Sequence, residues 1–289
     1  MISRSEDLKD YLKSYPTELP ADDHVLSALY TFQAIFRAVN FADIHELHDA
    51  EEDIDGLIST AESLRTALEN TNPPIWELYC RDTDWLHHIQ GYSYWDDRPA
   101  ERGGQKTMDL TSIEGSCDDN KNLVAFMTFD ARNNPAVPVE AITFCSKSLD
   151  GFTTETLQEM QRQSFATGNM HIEQVALDKM SLSLIHEMSH SRAVLGSTDA
   201  YIDATYENDN GDKETAYGWK AITTLRRQST KDALDNADSF AYYVAAMYLD
   251  NNDWASGFAY TFEDLRQAVS APQEGEGSDS GDDSDGSDY

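Results

Sequence analysis

Residues Ile172–Leu195 read IEQVALDKMSLSLIHEMSHSRAVL, and His186-Glu187-Met188-Ser189-His190 within them sets two histidines four apart around a glutamate. Ile172, Val175, Met180, Leu184 and Met188 recur on one flank, which predicts one buried helix across the segment. Positions i and i+4 of a helix lie one turn apart on the same face. Both imidazoles can then reach one metal ion at about 2.0–2.1 Å, with Glu187 beside the open coordination position. The bland alternative is a helix with two satisfied histidines and a surface glutamate. Composition alone produces the pattern roughly 0.015 times in a chain like this.

A buried helix needs a core around it. With 289 residues, 40% of them hydrophobic, the chain can build one large domain or two small ones. Acidic residues number 53 against 21 Lys plus Arg, a formal charge of −32, so nucleic acid and anionic membranes are repelled and cationic partners are favoured. No apolar run approaches the roughly 18 residues of a membrane span. The opening residues, MISRSEDLKDYLKSYPTELP, have no signal-peptide core.

Leu26, Leu29, Tyr30, Phe32, Ile35, Phe36 and Val39 recur with helical spacing, as do Ile54, Leu57, Ile58, Ala61, Leu64 and Leu68. Two amphipathic helices are expected there, the second stopped by Asn72-Pro73-Pro74 and followed by an irregular connection to about Lys106. LVAFMTF and VEAITFC, separated by Asn133-Asn134-Pro135, read as two strands and a turn. Helix resumes to about Leu249, interrupted by a polar insertion from Gly196 to Asp212, and Pro272–Tyr289 reads as a disordered acidic tail. The expected organisation is a helical region over 1–110, a metal-site domain over 111–271 and the tail over 272–289.

A tetrahedral catalytic zinc needs a third protein ligand. Ala193 and Gly196 stand where the spacing HExxHxxGxxH would require glycine and histidine, which excludes the metzincin pattern. Downstream come Gly196-Ser197-Thr198-Asp199, then Ala216-Tyr217-Gly218-Trp219, then Asn236-Ala237-Asp238-Ser239-Phe240-Ala241.

HExxH followed by GTxD, YG and NADSYA-like segments resembles the aspzincins, the family of deuterolysin and peptidyl-Lys metalloendopeptidase, over about Cys117–Leu249. The resemblance implies an α+β, zincin-like metalloprotease domain with a small β-sheet, an HExxH helix and one catalytic Zn2+. It makes Asp199 the third ligand, Asp238 the support of a ligand histidine and Tyr217 a lining residue of the catalytic site. It also implies a Cys117–Cys145 disulfide across the strand pair, secretion, and a preference for basic peptide or protein substrates. Two departures stand out. Ser197 replaces the family's threonine, and Tyr217-Gly218 follow Asp199 about fifteen residues later than the contiguous GTxDxxYG places them. If the register follows the tyrosine, Glu214 replaces Asp199; the shorter distance from His190 favours Asp199, with Asp203 and Asp212 ranked below both.

On this reading Glu187 takes a proton from the attacking water and passes it to the leaving amine, and Tyr217 donates to the developing oxyanion. Tyr217 could instead be a packed aromatic before a helix. The alternative for Asp238 is an N-cap, with Asn236 or Asp238 starting that helix and staying solvated. His45-Glu46-Leu47-His48 reads as a solvated acidic helix face, His87-His88 as part of a packed loop, and His171 has no evident role. Cys80 has no neighbours that would make it a nucleophile. The leading expectation is a monomeric zinc endopeptidase whose first 110 residues are a propeptide or accessory part. The alternative is a catalytically inactive metalloprotease-like acidic binding or cell-surface protein.

Overall fold

Three helices open the chain: α1 (Ile2–Lys13), α2 (Asp23–Ile35) and α3 (Ile44–Glu69). They belong to a mixed α+β protein, whose computed structural model describes residues 1–69, 74–128, 140–152, 156–176 and 180–270. The Asp22 carboxylate accepts the His24 and Val25 amides at 2.9 and 3.0 Å, satisfying two donors that the first turn of α2 leaves free. Leu26, Leu29, Phe32 and Ile35 are buried along α2, and Ile54, Leu57, Ile58 and Leu64 along α3, so both expected apolar stripes face the core. At the end of α3 the stripe passes through Ala67, leaving Leu68 exposed. α1 was not anticipated as a separate helix; its Leu8 and Leu12 are fully buried and it packs on α2 and α3.

Among the described residues, eight strands form three small sheets. β1 (Trp76–Tyr79), β2 (Leu86–Gln90), β3 (Ser93–Asp96) and β4 (Lys106–Asp109) occupy the stretch expected to be irregular. These strands are only four or five residues long. In β2 a buried Leu86 precedes four exposed residues, so no apolar alternation marks the strand. Gly91-Tyr92 closes the β2–β3 hairpin, with Gly91 at φ +54° supplying the left-handed conformation a two-residue turn needs. β5 (Ala125–Thr128) and β6 (Glu140–Phe144) pair antiparallel as the sequence predicts, and β1 adds to β6 in parallel, giving the order β1-β6-β5. The expected turn at Asn133-Asn134-Pro135, the Asn72-Pro73 part of the helix stop and the acidic tail lie outside the described residues.

Short helices α4 (Ser146–Leu149), α5 (Leu157–Gln161) and α6 (Ile172–Ala176) lead to α7 (Met180–Ser189) and α8 (Arg192–Leu195). The single helix expected over 172–195 is therefore broken after Ser189. Ser191 takes an extended conformation and its hydroxyl accepts the Val194 amide at 3.2 Å, starting α8 as a new turn. β7 (Thr205–Glu207) and β8 (Lys213–Thr215) fold the polar insertion into a hairpin, followed by α9 (Trp219–Gln228), α10 (Thr230–Leu234), α11 (Ala237–Tyr248) and α12 (Phe262–Ser270).

α11 is the central helix. Phe240, Tyr242, Tyr243, Ala245 and Met247 are buried, and α11 packs against α2, α6, α7 and α9. Arg4 of α1 is buried and donates to the Ala246 and Met247 carbonyls at 3.4 and 3.3 Å, placing its charge at the C-terminal, negative end of α11. One apolar cluster runs from Leu8 through Phe32, Ile54, Phe144, Met188 and Tyr243 to Ala259, so the first 69 residues share a core with the helices around α7. Cys117 and Cys145 are joined by a disulfide that closes the β5–β6 segment. Replacing both by serine should lower unfolding stability by about 3–4 kcal/mol, read from the urea midpoint. No helix among the described residues is long and apolar enough to cross a membrane.

Candidate metal centre

α7 lies between β5 and β6 on one side and α11 on the other, and it carries His186 and Glu187 on its last turn. His190 follows one residue beyond the helix. The two Nε2 atoms face each other at 3.3 Å with ring planes at 81°. Asp203 Oδ1 completes a triangle, 3.2 Å from His186 Nε2 and 3.4 Å from His190 Nε2. These three side chains could hold a metal ion.

The outer nitrogens fix the tautomers. His190 Nδ1 sits 2.9 Å from the Tyr201 carbonyl, which can only accept, so Nδ1 carries the proton. His186 Nδ1 sits 3.0 Å from Asp238 Oδ1 and likewise donates. In the neutral rings both Nε2 lone pairs then point at a carboxylate oxygen and at each other, an arrangement that repels itself unless a cation or a proton lies between.

The charge states follow from the same contacts. Burial lowers the His186 pKa, but hydrogen bonds to Asp203 and Asp238 outweigh it and leave the imidazole well above its ordinary value. His190 is raised in the same way, burial being overcome by Asp203. Burial pushes Asp203 up, and the two imidazoles pull it well below the usual carboxylate range. Glu187 is 6% exposed; burial raises its carboxyl, with the His186 and His190 charges partly offsetting.

Asp199, the expected third ligand, is elsewhere. It is exposed, accepts the Thr198 hydroxyl at 2.9 Å and does not join the triangle. After α8 the chain spends residues 196–200 on a turn closed by the Ala200 amide on the Gly196 carbonyl, 3.2 Å. It returns to α7 only at Tyr201, whose amide donates to the Ser189 carbonyl at 3.0 Å. Ile202 then bonds both ways beside α11, to the Asp235 carbonyl at 2.8 Å and from the Ala237 amide at 2.9 Å, which brings Asp203 to the histidines. Glu214 is on β8, accepting from Tyr206 Oη at 3.1 Å and Asn208 Nδ2 at 2.7 Å, and Asp212 sits in the hairpin turn.

Tyr217 is beside the triangle, its ring 5.8 Å from that of His186 and its hydroxyl under the influence of the Asp203 carboxylate. Burial and then the surrounding carboxylates raise its pKa far above the ordinary phenol value, so the hydroxyl keeps its proton. Asp238 is not a solvated cap: its Oδ2 accepts the Gly218 amide at 2.7 Å while Oδ1 holds His186. Asn236 is fully buried, linking the Ala204 amide, the Ala216 carbonyl and the Ser239 hydroxyl.

Two supports left no sequence signal. The Tyr201 contact to His190 is a backbone carbonyl. Glu140, at the start of β6 and 3% exposed, accepts the Ser191 hydroxyl and the Arg192 and Ala193 amides at 3.0 Å each, fixing the chain just after His190. His48 lies against Glu51 and Glu52 on the surface of α3, and His88 bonds the Gly91 carbonyl within the β2–β3 hairpin, so neither joins a metal triangle. The chain matches no family model, no curated protein and no solved structure.

Ion binding must displace protons from Nε2 of both histidines. Because their pKa values lie above the ordinary 6.5 or so, metal affinity should keep rising with pH above that value, with up to two protons released per ion. In the metal-free protein the sign is opposite. Stability from the charged imidazoles is complete below the unfolded pKa and is lost as pH rises through the raised folded values. The gain in Tm on adding metal should therefore grow between about pH 6 and pH 8, measured by thermal melts with and without the ion.

Proposed function

We propose that the chain is a zinc-dependent endopeptidase of the aspzincin type, with a zincin-like metal-site domain, secreted and acting on basic proteins. The observation that carries this reading is the spacing of the three donors beside Glu187. Ligand atoms about 2.0–2.1 Å from one tetrahedral ion stand about 3.3–3.4 Å apart, whereas neighbouring octahedral ligands at that distance stand about 2.9 Å apart. The 3.2, 3.3 and 3.4 Å edges match the tetrahedral figure, and a His-His-carboxylate set suits zinc.

Such an ion, when bound, supplies a Lewis acid that polarises a carbonyl and lowers the pKa of water. The rest is done by the chain. Glu187, buried and with its affinity for protons raised, removes a proton from the attacking water and delivers it to the leaving amine. Tyr217, half exposed and held protonated, presents its O–H to the oxyanion that forms on the substrate. Asp238 keeps the proton of His186 on Nδ1, so that Nε2 remains a donor to the ion. The −32 charge attracts cationic chains and speeds their encounter. The Cys117–Cys145 bond is compatible with an oxidising compartment.

The test is the purified chain incubated with histone or casein. The expected result is one equivalent of bound zinc and cleavage that stops with a chelator and returns with zinc. Absence of metal binding overturns the reading; bound zinc without cleavage of either protein supports the acidic binding protein instead.

A further inference from the structure

Tyr217 is the one catalytic candidate that no helix or strand holds: it lies between β8 and α9, followed by Gly218 at φ +81°. Its position must be set by what grips the adjacent backbone. Two carboxylates do so. Asp238 Oδ2 accepts the Gly218 amide at 2.7 Å, and Glu173 Oε1, from α6, accepts the Trp219 amide at 2.6 Å. Consecutive amides are thus fastened to α11 on one side and α6 on the other. The first anchor also holds His186, so it registers the turn against the triangle.

We infer that Glu173 is a positioning residue for Tyr217, fixing the turn 217–219 so that the phenol points at the reacting carbonyl; this rests on the function proposed above. The glycine fits the same account. A Cβ at position 218 would stand 2.8 Å from Glu173 Oε1, so side chains are excluded where the carboxylate approaches. Glu173 is itself held: its backbone amide donates to His171 Nδ1 at 3.2 Å. His171 in turn stacks edge-on against Phe258, with ring centroids 4.7 Å apart, and is bridged to it through the backbone. His171, without a role in the sequence, becomes the seat of the clamp. Trp219 is buried behind the turn, its ring 6.1 Å from Tyr242 of α11.

The experiment compares Glu173→Ala and Glu173→Gln in the full chain, each alone and combined with Tyr217→Phe. Glu173→Ala should lower kcat about tenfold with KM and zinc affinity unchanged, a fraction of the roughly 10²–10³ that loss of an oxyanion donor costs. Glu173→Gln keeps an acceptor oxygen and should restore most of the rate. In the Tyr217→Phe background Glu173→Ala should cost nothing further, because no hydroxyl remains to be positioned. A full tenfold loss there overturns the inference. A crystal structure of Glu173→Ala provides a readout without turnover. Displacement of residues 217–219 with the histidine triangle intact supports the clamp even if the wild-type chain cleaves no peptide, and an unmoved turn overturns it. Should Glu173→Ala not fold, Glu173→Asp, one methylene too short to reach the Trp219 amide, takes its place in every comparison.

Discussion

Glu187→Gln is expected to bind zinc with wild-type stoichiometry and to lose about 10²–10⁴-fold in peptide hydrolysis, the range that a positioned acid–base group contributes. Glutamine matches glutamate in shape, so the packing of α7 on β5 should be kept. What disappears is the basic oxygen. The substitution also has a stability signature. Burial raises the Glu187 pKa, so the folded metal-free protein holds the proton more tightly than the unfolded chain. The ionised form costs stability once pH climbs above the unfolded value of about 4.3, and that cost grows until the folded pKa is passed. At neutral pH metal-free Glu187→Gln should therefore be at least as stable as wild type while nearly inactive with zinc. Metal content, initial rates on histone and a urea melt together distinguish this from simple damage. A variant that retains rates within about tenfold of wild type would remove Glu187 from the proton transfers.

What the sequence made readable, and what it did not, divides along the range of the interactions involved. His186, Glu187 and His190 were legible because four residues of helix determine where two side chains point. That held even though the helix ends at Ser189, since His190 is still within the turn whose amide reaches the Glu187 carbonyl at 3.1 Å. Asp238 was legible because an aspartate in an apolar helix needs a partner. β2, β3 and β4 were hidden: Trp, Tyr, His and Asp crowd short strands whose outward faces are exposed, and the pairing of Ser93–Asp96 with Lys106–Asp109 is a tertiary fact. The break before α8 was hidden as well, because Glu140, some fifty residues earlier in the chain, supplies the carboxylate that caps it. The carboxylate that joins the two histidines was misplaced for the same reason. A count from His190 gives how soon a chain could return, whereas the bonds of Tyr201 to Ser189 and of Ile202 to Asp235 and Ala237 decide when it does.

Asp203→Ala is accordingly expected to weaken zinc binding by more than the roughly 10–100-fold that loss of a supporting residue such as Asp238 would cause. Asp199→Ala and Glu214→Ala should leave the dissociation constant within about twofold, because both are exposed and stand outside the donor triangle. A competitive chelator titration of the three variants beside wild type separates the candidates. Asp203 is a third exposed and its carboxylate is held far below the ordinary range by the imidazoles, so it is ionised whenever they could accept a metal. Removing it leaves two raised-pKa histidines without their strongest stabilising charge. Their pKa values should fall, and the pH dependence of any residual binding should shift toward lower pH. Weak binding together with that shift identifies Asp203 as the donor whose charge both attracts the ion and, in its absence, retains the protons. If instead Asp199→Ala loses the ion while Asp203→Ala keeps it, the 196–200 turn must rearrange on metal binding, and the triangle seen here would be a proton-filled resting arrangement of the same two histidines.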